Sequence, residues 1–332
     1  MAGLAAPWPA AVAVSGGGDS LALMHLLADW AKAQGHKPPV IVTVDHKLQK
    51  HSTSNAKQVL AWAKRAGLKA HALTWRGTKP KGDIEAAARE ARYRLMGEWC
   101  RKRGIAALYA GHTRDDQAET FLLRLARGSG LDGLAAMRPV SSYPLPEFKE
   151  LELVRPLIDT ERDALRSYLT ARSQEWFDDP MNSDPRFARV RIRAAMEHLA
   201  VAGLTPGRIA DAAAHLARAR EALDAVTAAV LRHGCRAEGD VVYVETGALL
   251  AAPREVGLRA LAQLLMGVSG QTYRPRFERL ERLFDSIREN SLGQGRTLHG
   301  CRIGPAPATA AYFGAGTLAI VREPGRKPQK RR

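Results

Sequence analysis

A glycine-rich loop between an apolar strand and a helix constrains this chain most. Residues 11–14 (AVAV) predict a buried strand, and residues 21–33 carry apolar side chains at a helical period. Glycines let the backbone turn tightly and approach an anion, while free N–H groups at a helix start bind phosphate oxygens. We therefore predict a phosphate loop between the two elements. It consists of Ser15, Gly16, Gly17, Gly18, Asp19 and Ser20.

The chemistry of this phosphate loop is set by Asp19. The loop lacks the lysine that a Walker A sequence places on the terminal phosphates, and it is too short for a dinucleotide fingerprint. A carboxylate beside a phosphate repels it unless a divalent cation lies between them, so Asp19 predicts bound Mg²⁺. A plain turn in which Asp19 only caps the helix is the alternative, but such a turn does not need three successive glycines.

Strand and helix patterns alternate over the first 125 residues. The predicted strands are 11–14, 40–44, 69–74 and 105–110, and the predicted helices are 21–33, 52–66, 82–103 and 115–127. Continuous apolar strands separated by helices indicate a parallel sheet covered on both faces. Ligands of such sheets bind beyond the carboxyl ends of the strands. We expect the phosphate loop, Asp45 with His46, and Gly111 with His112 to converge there.

The sequence pattern of the rest of the chain predicts a different architecture. Residues 139–146 are rich in proline and predict an exposed loop, and helices follow at 160–172, 187–202 and 205–233. After residue 241 the pattern changes to a short strand, helices and glycine-punctuated strands. The predicted fold is α/β, a Rossmann-like doubly wound parallel sheet, followed by a helical linker and a small α+β domain. The predicted bounds are 1–200, 201–238 and 239–325, with a basic disordered tail at 326–332.

A second polar cluster opens the helix after the fourth strand. Residues 111–120 read GHTRDDQAET, and His112, Asp116 and Glu119 are spaced so that they share one helix face. Carboxylates are favourable near a helix N-terminus. A capping box between Thr113 and Asp116 is the alternative explanation, and it accounts for one of the carboxylates.

Charge and cysteine content narrow the function class. The 332 residues carry a formal charge of +16, which favours phosphate-rich partners, whereas 6% aromatic residues argue against a dense base-stacking surface. The three cysteines form no CxxC pair, so neither a disulfide framework nor a structural zinc site is expected. No lysine or arginine precedes residue 32, as a signal peptide would require, and no membrane span is predicted. We expect a cytoplasmic protein.

The order of these motifs resembles one family, the tRNA(Ile)-lysidine synthases, within the PP-loop ATP pyrophosphatases. The matching motifs are SGGGDS (15–20), VDHKLQKHS (44–52), EAAAREARY (85–93), GHTRDDQAET (111–120), RLARGSGLDGL (124–134), RPL (155–157), DDPMNSD (178–184), RVRIR (189–193) and TLHGCRIG (297–304). The loop sequence alone marks the wider group, and its combination with GHTRDDQAET is far more specific.

The resemblance implies a ligase that joins free L-lysine to the wobble cytidine of tRNA(Ile), with ATP and Mg²⁺, in the cytoplasm and as a homodimer. The base is adenylated first, and AMP and pyrophosphate are released. ATP is expected on the phosphate loop with Asp45, His46, Gly111 and His112, and Mg²⁺ on Asp19. Lysine is expected on Arg92, Asp115, Asp116 and Glu119, and tRNA on Arg189, Arg191, Arg193 and Arg218.

Three other functions stay open on the sequence. A PP-loop thiolase needs cysteines to carry sulfur, and an amidotransferase-type ligase needs a glutaminase nucleophile. A non-catalytic nucleotide-binding RNA adaptor would not need Asp19 or Glu119. AMP release that depends on both tRNA and lysine distinguishes the lysine ligase from all three.

Overall fold

The computed structural model describes residues 7–48, 51–77, 79, 82, 84–178, 186, 188–271 and 273–323. The chain divides into two compact units, residues 1–217 and 218–332. Most of the DDPMNSD motif and the basic tail that was predicted to be disordered lie outside the described residues.

The N-terminal unit is built on a six-stranded sheet in the order β3-β2-β1-β4-β6-β5. The first five strands in this order, namely β3, β2, β1, β4 and β6, pair in parallel, and β5 at the edge pairs antiparallel with β6. The strands are β1 (Ala10–Ala13), β2 (Val40–Asp45), β3 (Ala70–Thr74), β4 (Ala107–Ala110), β5 (Val140–Ser142) and β6 (Glu152–Val154). The helices are α1 (Gly18–Ala33), α2 (Ser52–Arg65), α3 (Ile84–Lys102), α4 (Arg114–Leu125), α5 (Leu131–Leu134), α6 (Arg162–Ala171) and α7 (Ala188–Val201). This arrangement confirms the α/β parallel-sheet prediction.

Both faces of this sheet are covered because successive strand side chains point to opposite sides. Val12 and Ile41 pack in one cluster with residues of α1, α2 and α6. Their neighbours Ala11 and Val42 pack in the other cluster with Tyr93 and further residues of α3. The two-sided burial explains why the strands are apolar throughout.

The prediction of an exposed loop over residues 139–146 is wrong. Val140 pairs with Val154, so this segment forms the antiparallel edge strand β5. Tyr143 and Leu145 are buried, and the Tyr143 hydroxyl donates a hydrogen bond of 2.6 Å to the Tyr93 carbonyl. Prolines 144 and 146 follow the strand, where they cost no ladder hydrogen bond, so proline content misled the prediction.

The C-terminal unit has its own antiparallel sheet in the order β7-β8-β11-β10-β9. Its core combines Leu261, Leu265 and Phe284 from helices with Ile303 and Ile320 from strands. The strands are β7 (Cys235–Glu238), β8 (Val241–Glu245), β9 (Arg296–Leu298), β10 (Cys301–Pro305) and β11 (Thr317–Arg322). The helices are α9 (Thr246–Ala251), α10 (Arg254–Ser269) and α11 (Phe277–Arg288), and the long α8 (Pro206–Gly234) contains the boundary between the units. The predicted α+β architecture of this part is confirmed.

In the described part of the chain, no helix combines the length and the hydropathy needed to cross a bilayer.

Two helical glycines provide a matched test of the packing around α3. A Cβ at Gly97 would lie 2.6 Å from the Phe148 ring, whereas a Cβ at Gly267 in α10 would meet no atom within 4 Å. We expect Gly97→Ala to lower stability by about 1–2 kcal/mol, because overpacking exceeds the gain in helix propensity. Gly267→Ala should raise stability by about 0.5–1 kcal/mol.

Thermal unfolding followed by circular dichroism measures both changes. Equal shifts of the melting temperature in the two variants would contradict the tight contact at Gly97.

Candidate active site at the carboxyl ends of the strands

The phosphate loop is closed by hydrogen bonds of Ser20. The Ser20 hydroxyl donates to the Gly17 carbonyl over 2.8 Å and accepts from the Ser15 N–H over 3.2 Å. Gly17 is the N-cap of α1 and has no side chain with which to cap the helix. Asp19 therefore does not cap the helix, and the first-turn N–H groups, which lack acceptors within the helix, point towards a phosphate position.

Two glycines of the site allow close approaches of backbone. Gly16 has a φ of +93°, and a Cβ there would lie 2.6 Å from the Phe177 ring. The Phe177 N–H donates to the Gly16 carbonyl over 2.9 Å. Gly111 follows β4, and a Cβ there would lie 2.9 Å from the backbone oxygen of Asp19. The absence of a side chain at Gly111 thus lets the segment after β4 lie against the phosphate loop.

Asp45, at the end of β2, is held by three hydrogen bonds. Its carboxylate accepts from the hydroxyls of Ser52 and Thr53, each over 2.7 Å, and from the Lys47 N–H over 3.0 Å. Burial opposes ionisation, but these hydrogen bonds outweigh it and hold the pKa of Asp45 below its ordinary value. Asp45 thus ties the end of β2 to the first turn of α2, while its predicted contact with ATP remains a prediction.

Two histidines at this sheet edge are neutral at pH 7. Burial, together with the positive charge of Arg92, lowers the pKa of His46 to about 4. Burial also lowers the pKa of His112 to about 4, with contributions from Arg155, Arg92 and Arg189. Among the described residues, Nδ1 of neither imidazole has a hydrogen-bond partner. Both nitrogens are buried, and the predicted contacts of these rings with a nucleotide or base remain predictions.

The start of α4 is organised by the capping box that the sequence offered as an alternative. The Thr113 side chain accepts from the Asp116 N–H, and Asp116 Oδ2 accepts from the Thr113 N–H over 2.9 Å. One oxygen of Asp116 is thereby committed to the cap. The other, Oδ1, faces the guanidinium of Arg162 at 3.6 Å.

Arg162 is the central cation of the site, and sequence reasoning missed it. Its Nε lies 3.1 Å from Asp19, its Nη1 lies 3.4 Å from Glu119, and its backbone N–H donates to Asp115 over 3.0 Å. Asp19, Asp115, Asp116 and Glu119, here called the acidic cluster, all contact this one residue. Burial disfavours the charge of Arg162, but the carboxylates outweigh that effect and raise its pKa further.

The helix predicted over residues 160–172 begins two residues later in the structure. The helix α6 begins at Arg162, and neither Asp159 nor Thr160 caps it. The Thr160 carbonyl accepts from the Arg114 N–H of α4, while Asp115 of α4 accepts from Arg162. The first turns of α4 and α6 are therefore joined to each other, which the local sequence of neither helix reveals.

Glu119 is the most buried member of the acidic cluster, with 1% of its surface exposed. Besides Arg162, it binds Arg193 of α7 through hydrogen bonds of 2.6 and 3.2 Å. Arg193, predicted to contact tRNA, thus pairs with an acidic residue of the site.

The other predicted tRNA residues have different surroundings. Arg189 lies close enough to His112 to lower its pKa, and Arg191 donates to the Arg186 carbonyl. Arg218 lies on α8 in the C-terminal unit. The structure describes no RNA, so these three roles stay predictions.

The residues present fit a Mg²⁺ ion shared with a nucleotide. Asp19 offers carboxylate oxygens, which Mg²⁺ prefers, beside the phosphate loop. Among the described residues, no group of three or more His, Cys, Asp or Glu side chains is arranged to hold a metal ion. Since Mg²⁺ is commonly held by one or two carboxylates together with substrate phosphates, Asp19 would supply the protein's share.

The glycine at 111 provides a test of the phosphate loop. Gly111→Ala should weaken ATP binding by about 10–100-fold. The new Cβ would push on the backbone of Asp19 and so displace the N–H groups of the phosphate loop. Gly130→Ala is the control, since a Cβ there meets no atom within 4 Å. Titration with a fluorescent ATP analogue measures both, and unchanged affinity in Gly111→Ala would show that the loop tolerates the displacement.

The hydrogen-bonded carboxylate of Asp45 predicts a pH-dependent stability. Because its pKa is lowered in the folded state, its contribution is full above the unfolded pKa of about 3.9 and is lost as pH falls through the folded pKa. Asp45→Asn should therefore destabilise the N-terminal unit by about 1–3 kcal/mol at pH 7, and by less at pH 3.

Tryptophan fluorescence during urea unfolding reports the stability of the N-terminal unit selectively, because all six tryptophans lie before residue 177. The exposed Asp159→Asn is the control. A destabilisation by Asp45→Asn that is equal at both pH values would contradict the ionised state of Asp45.

Comparisons with known proteins agree with this geometry. Residues 8–199 match the family described as PP-loop domain. The solved U34-tRNA thiolase NcsA from Methanococcus maripaludis, with its 4Fe–4S cluster, superposes with a TM-score of 0.50 at 16% identity, over 64% of this chain and 70% of that one. This similarity shows the fold.

Two proteins named tRNA(Ile)-lysidine synthase are much more similar in sequence. The one from Ruegeria pomeroyi is 39% identical over 300 residues, which are 88% of this chain and 70% of that protein. The one from Methylobacterium nodulans is 39% identical over 321 residues, which are 95% of this chain and 91% of that protein. The chain belongs to the tRNA(Ile)-lysidine synthase family.

Proposed function

We propose that this chain joins free L-lysine to C2 of the wobble cytidine in tRNA(Ile) with the CAU anticodon, using ATP. The observation that carries the proposal is the phosphate loop lying beside the acidic cluster, in a chain of this family. ATP is the substrate expected of a PP-loop domain, and the products are AMP, pyrophosphate and the lysidine base. The reaction takes place in the cytoplasm.

The first half-reaction adenylates the base. The wobble-base oxygen attacks the α-phosphate of ATP held by the phosphate loop, and pyrophosphate leaves. Bound Mg²⁺ supplies positive charge to the phosphates beside Asp19. The N–H groups at the start of α1 hold the phosphate oxygens, and positioning with charge stabilisation carries most of the acceleration. A loop without a lysine for the γ-phosphate suits cleavage between the α- and β-phosphates.

The second half-reaction transfers lysine. The ε-amine, neutral after its ammonium form has lost a proton to water, attacks C2 of the adenylated base. The bond between C2 and the adenylate oxygen breaks, and AMP leaves. Asp116 and Glu119 bind the amino groups of lysine, and Arg92 binds its carboxylate. The neutral His112, whose Nδ1 has no partner among the described residues, accepts a hydrogen bond from the base or the nucleotide. Asp115 supports these groups by holding the start of α6.

The positively charged side chains in the rest of the chain serve to hold the tRNA. Arg189, Arg191 and Arg218 bind backbone phosphates, which set affinity and register rather than sequence specificity. The anticodon loop must open so that one base enters the site. Two copies of the chain form the active homodimer, and analytical ultracentrifugation tests that assembly.

The thiolase alternative is disfavoured by the cysteines. Burial raises the pKa of the Cys100 thiol to about 12 and those of Cys235 and Cys301 to about 11. Thiols with raised pKa values are poor nucleophiles and poor carriers of sulfur at neutral pH. The adaptor alternative predicts no turnover of ATP.

Mass analysis of nucleosides tests the function. The purified chain is incubated with tRNA(Ile) transcript, ATP, Mg²⁺ and lysine, and the tRNA is digested. Lysidine in the digest, with AMP release that depends on both tRNA and lysine, is expected. AMP release without a lysine requirement would favour a thiolase-type enzyme, and the absence of AMP release would favour the adaptor.

Substitutions in the acidic cluster test the lysine site. Asp116→Asn and Glu119→Gln should each reduce transfer of labelled lysine by about 10–100-fold, because each removes a charged partner of an ammonium group. Glu197→Gln on the exposed face of α7 is the control and should transfer lysine at the parent rate. Parent-rate transfer by both site variants would refute the assignment.

A further inference from the structure

Arg162 occupies the positions where the substrates' positive charges are expected. Each of its three guanidinium nitrogens faces a different carboxylate, namely Asp19 at 3.1 Å, Asp116 at 3.6 Å and Glu119 at 3.4 Å. Its side chain is 18% exposed, so the interactions are largely shielded from water. Under the proposed function, Mg²⁺ binds Asp19 and the amino groups of lysine bind Asp116 and Glu119. Arg162 therefore competes with both cations for the same oxygens.

The remaining partners of these carboxylates do not relieve the competition. Arg193 adds a second guanidinium at Glu119, and one oxygen of Asp116 is committed to the cap of α4. The oxygen of Asp116 that faces Arg162 is thus the one left for an ammonium group. Lysine gains this position when the guanidinium leaves it.

ATP supplies the anion towards which Arg162 can move. The Nε of Arg162 already lies against Asp19, which belongs to the phosphate loop. A guanidinium pairs well with phosphate oxygens, with which it forms two parallel hydrogen bonds. A move of Arg162 from the acidic cluster to the nucleotide frees Asp116 Oδ1 and removes one of the two guanidinium partners of Glu119 Oε1. Lysine can then take these positions without leaving the arginine unpaired.

We propose that Arg162 is a positioning residue that makes lysine binding depend on ATP. In the empty site its guanidinium keeps the acidic cluster together and closed to ammonium groups. When ATP binds, the guanidinium transfers to the phosphates, and the cluster accepts lysine. ATP and lysine then bind with positive coupling, and the coupling is reciprocal. This inference rests on the proposed function, since it takes ATP and lysine as the ligands.

Equilibrium binding without turnover tests the coupling. Dialysis with labelled L-lysine is carried out with and without a non-hydrolysable ATP analogue and Mg²⁺. The wild-type chain should bind lysine about tenfold or more tightly with the analogue present. In Arg162→Gln, lysine should bind the nucleotide-free chain more tightly than in the wild type, and the effect of the analogue should fall to about twofold or less. A residue that only supported the fold would weaken lysine binding when removed.

Two further variants complete the experiment. Arg162→Lys keeps the charge but cannot face three carboxylates at once, so its coupling should lie between those of the wild type and Arg162→Gln. Arg166→Gln removes the same charge one turn along α6, where the side chain is 50% exposed and 4.0 Å from Asp178. It should retain the wild-type coupling. Tryptophan fluorescence checks that each variant is folded.

The proposal is overturned if Arg162→Gln binds lysine no more tightly than the wild type without nucleotide. If Arg162→Gln does not fold, wild-type coupling in Arg162→Lys also overturns the proposal. The proposal is overturned as well if the ATP analogue does not change the affinity of the wild-type chain for lysine. These failures differ from failure of the proposed function, which is the absence of lysidine from the product assay of the wild-type chain.

Discussion

The burial of carboxylates at the start of α4 is the constraint on which the site depends. Isolated buried charges are costly, and Glu119 is almost completely removed from water. Arg162 and Arg193 offset this cost with hydrogen-bonded ion pairs that come from two different helices. The position of α6 follows from the same requirement, because α6 begins at the residue that neutralises the cluster. Arg162 therefore contributes both to the position of α6 and to the charge of the site.

A second constraint is the close approach of backbone segments at the sheet edge. The segment after β4 lies against the phosphate loop because position 111 has no side chain, and Phe177 packs on the opposite part of the loop at Gly16. These contacts hold the loop between two neighbours before any ligand binds. A preorganised loop spends less binding energy on ordering itself, which suits an enzyme whose phosphoryl step relies on positioning.

Neutral imidazoles and charged groups lie next to each other in the site. Burial lowers the pKa of His112 and outweighs the opposing charge of Asp116 in the acidic cluster, and burial together with Arg92 lowers the pKa of His46. Under the proposed function, the carboxylates receive a cationic amino acid and the neutral histidines lie near the base. Under the proposed function, most of the excess positive charge of the chain serves to hold the polyanionic tRNA.

The sequence by itself determined the alternation of strands and helices over the first 125 residues, the phosphate loop and the helix that begins at GHTRDDQAET. These features are local, since periodicity, glycine content and capping residues act over a few neighbouring positions. The family followed from the same motifs. Proline content near residue 140 misled the prediction, because an edge strand tolerates prolines directly after it.

Only the tertiary structure decided how the acidic residues are used. Arg162 stands 143 residues from Asp19 and 43 from Glu119, and no local pattern distinguishes it from the other arginines of the chain. It was the packing of α6 against α1 and α4 that brought one guanidinium to three carboxylates. Ion pairs between distant segments depend on the folded position of each helix, which the spacing of residues along the chain does not specify.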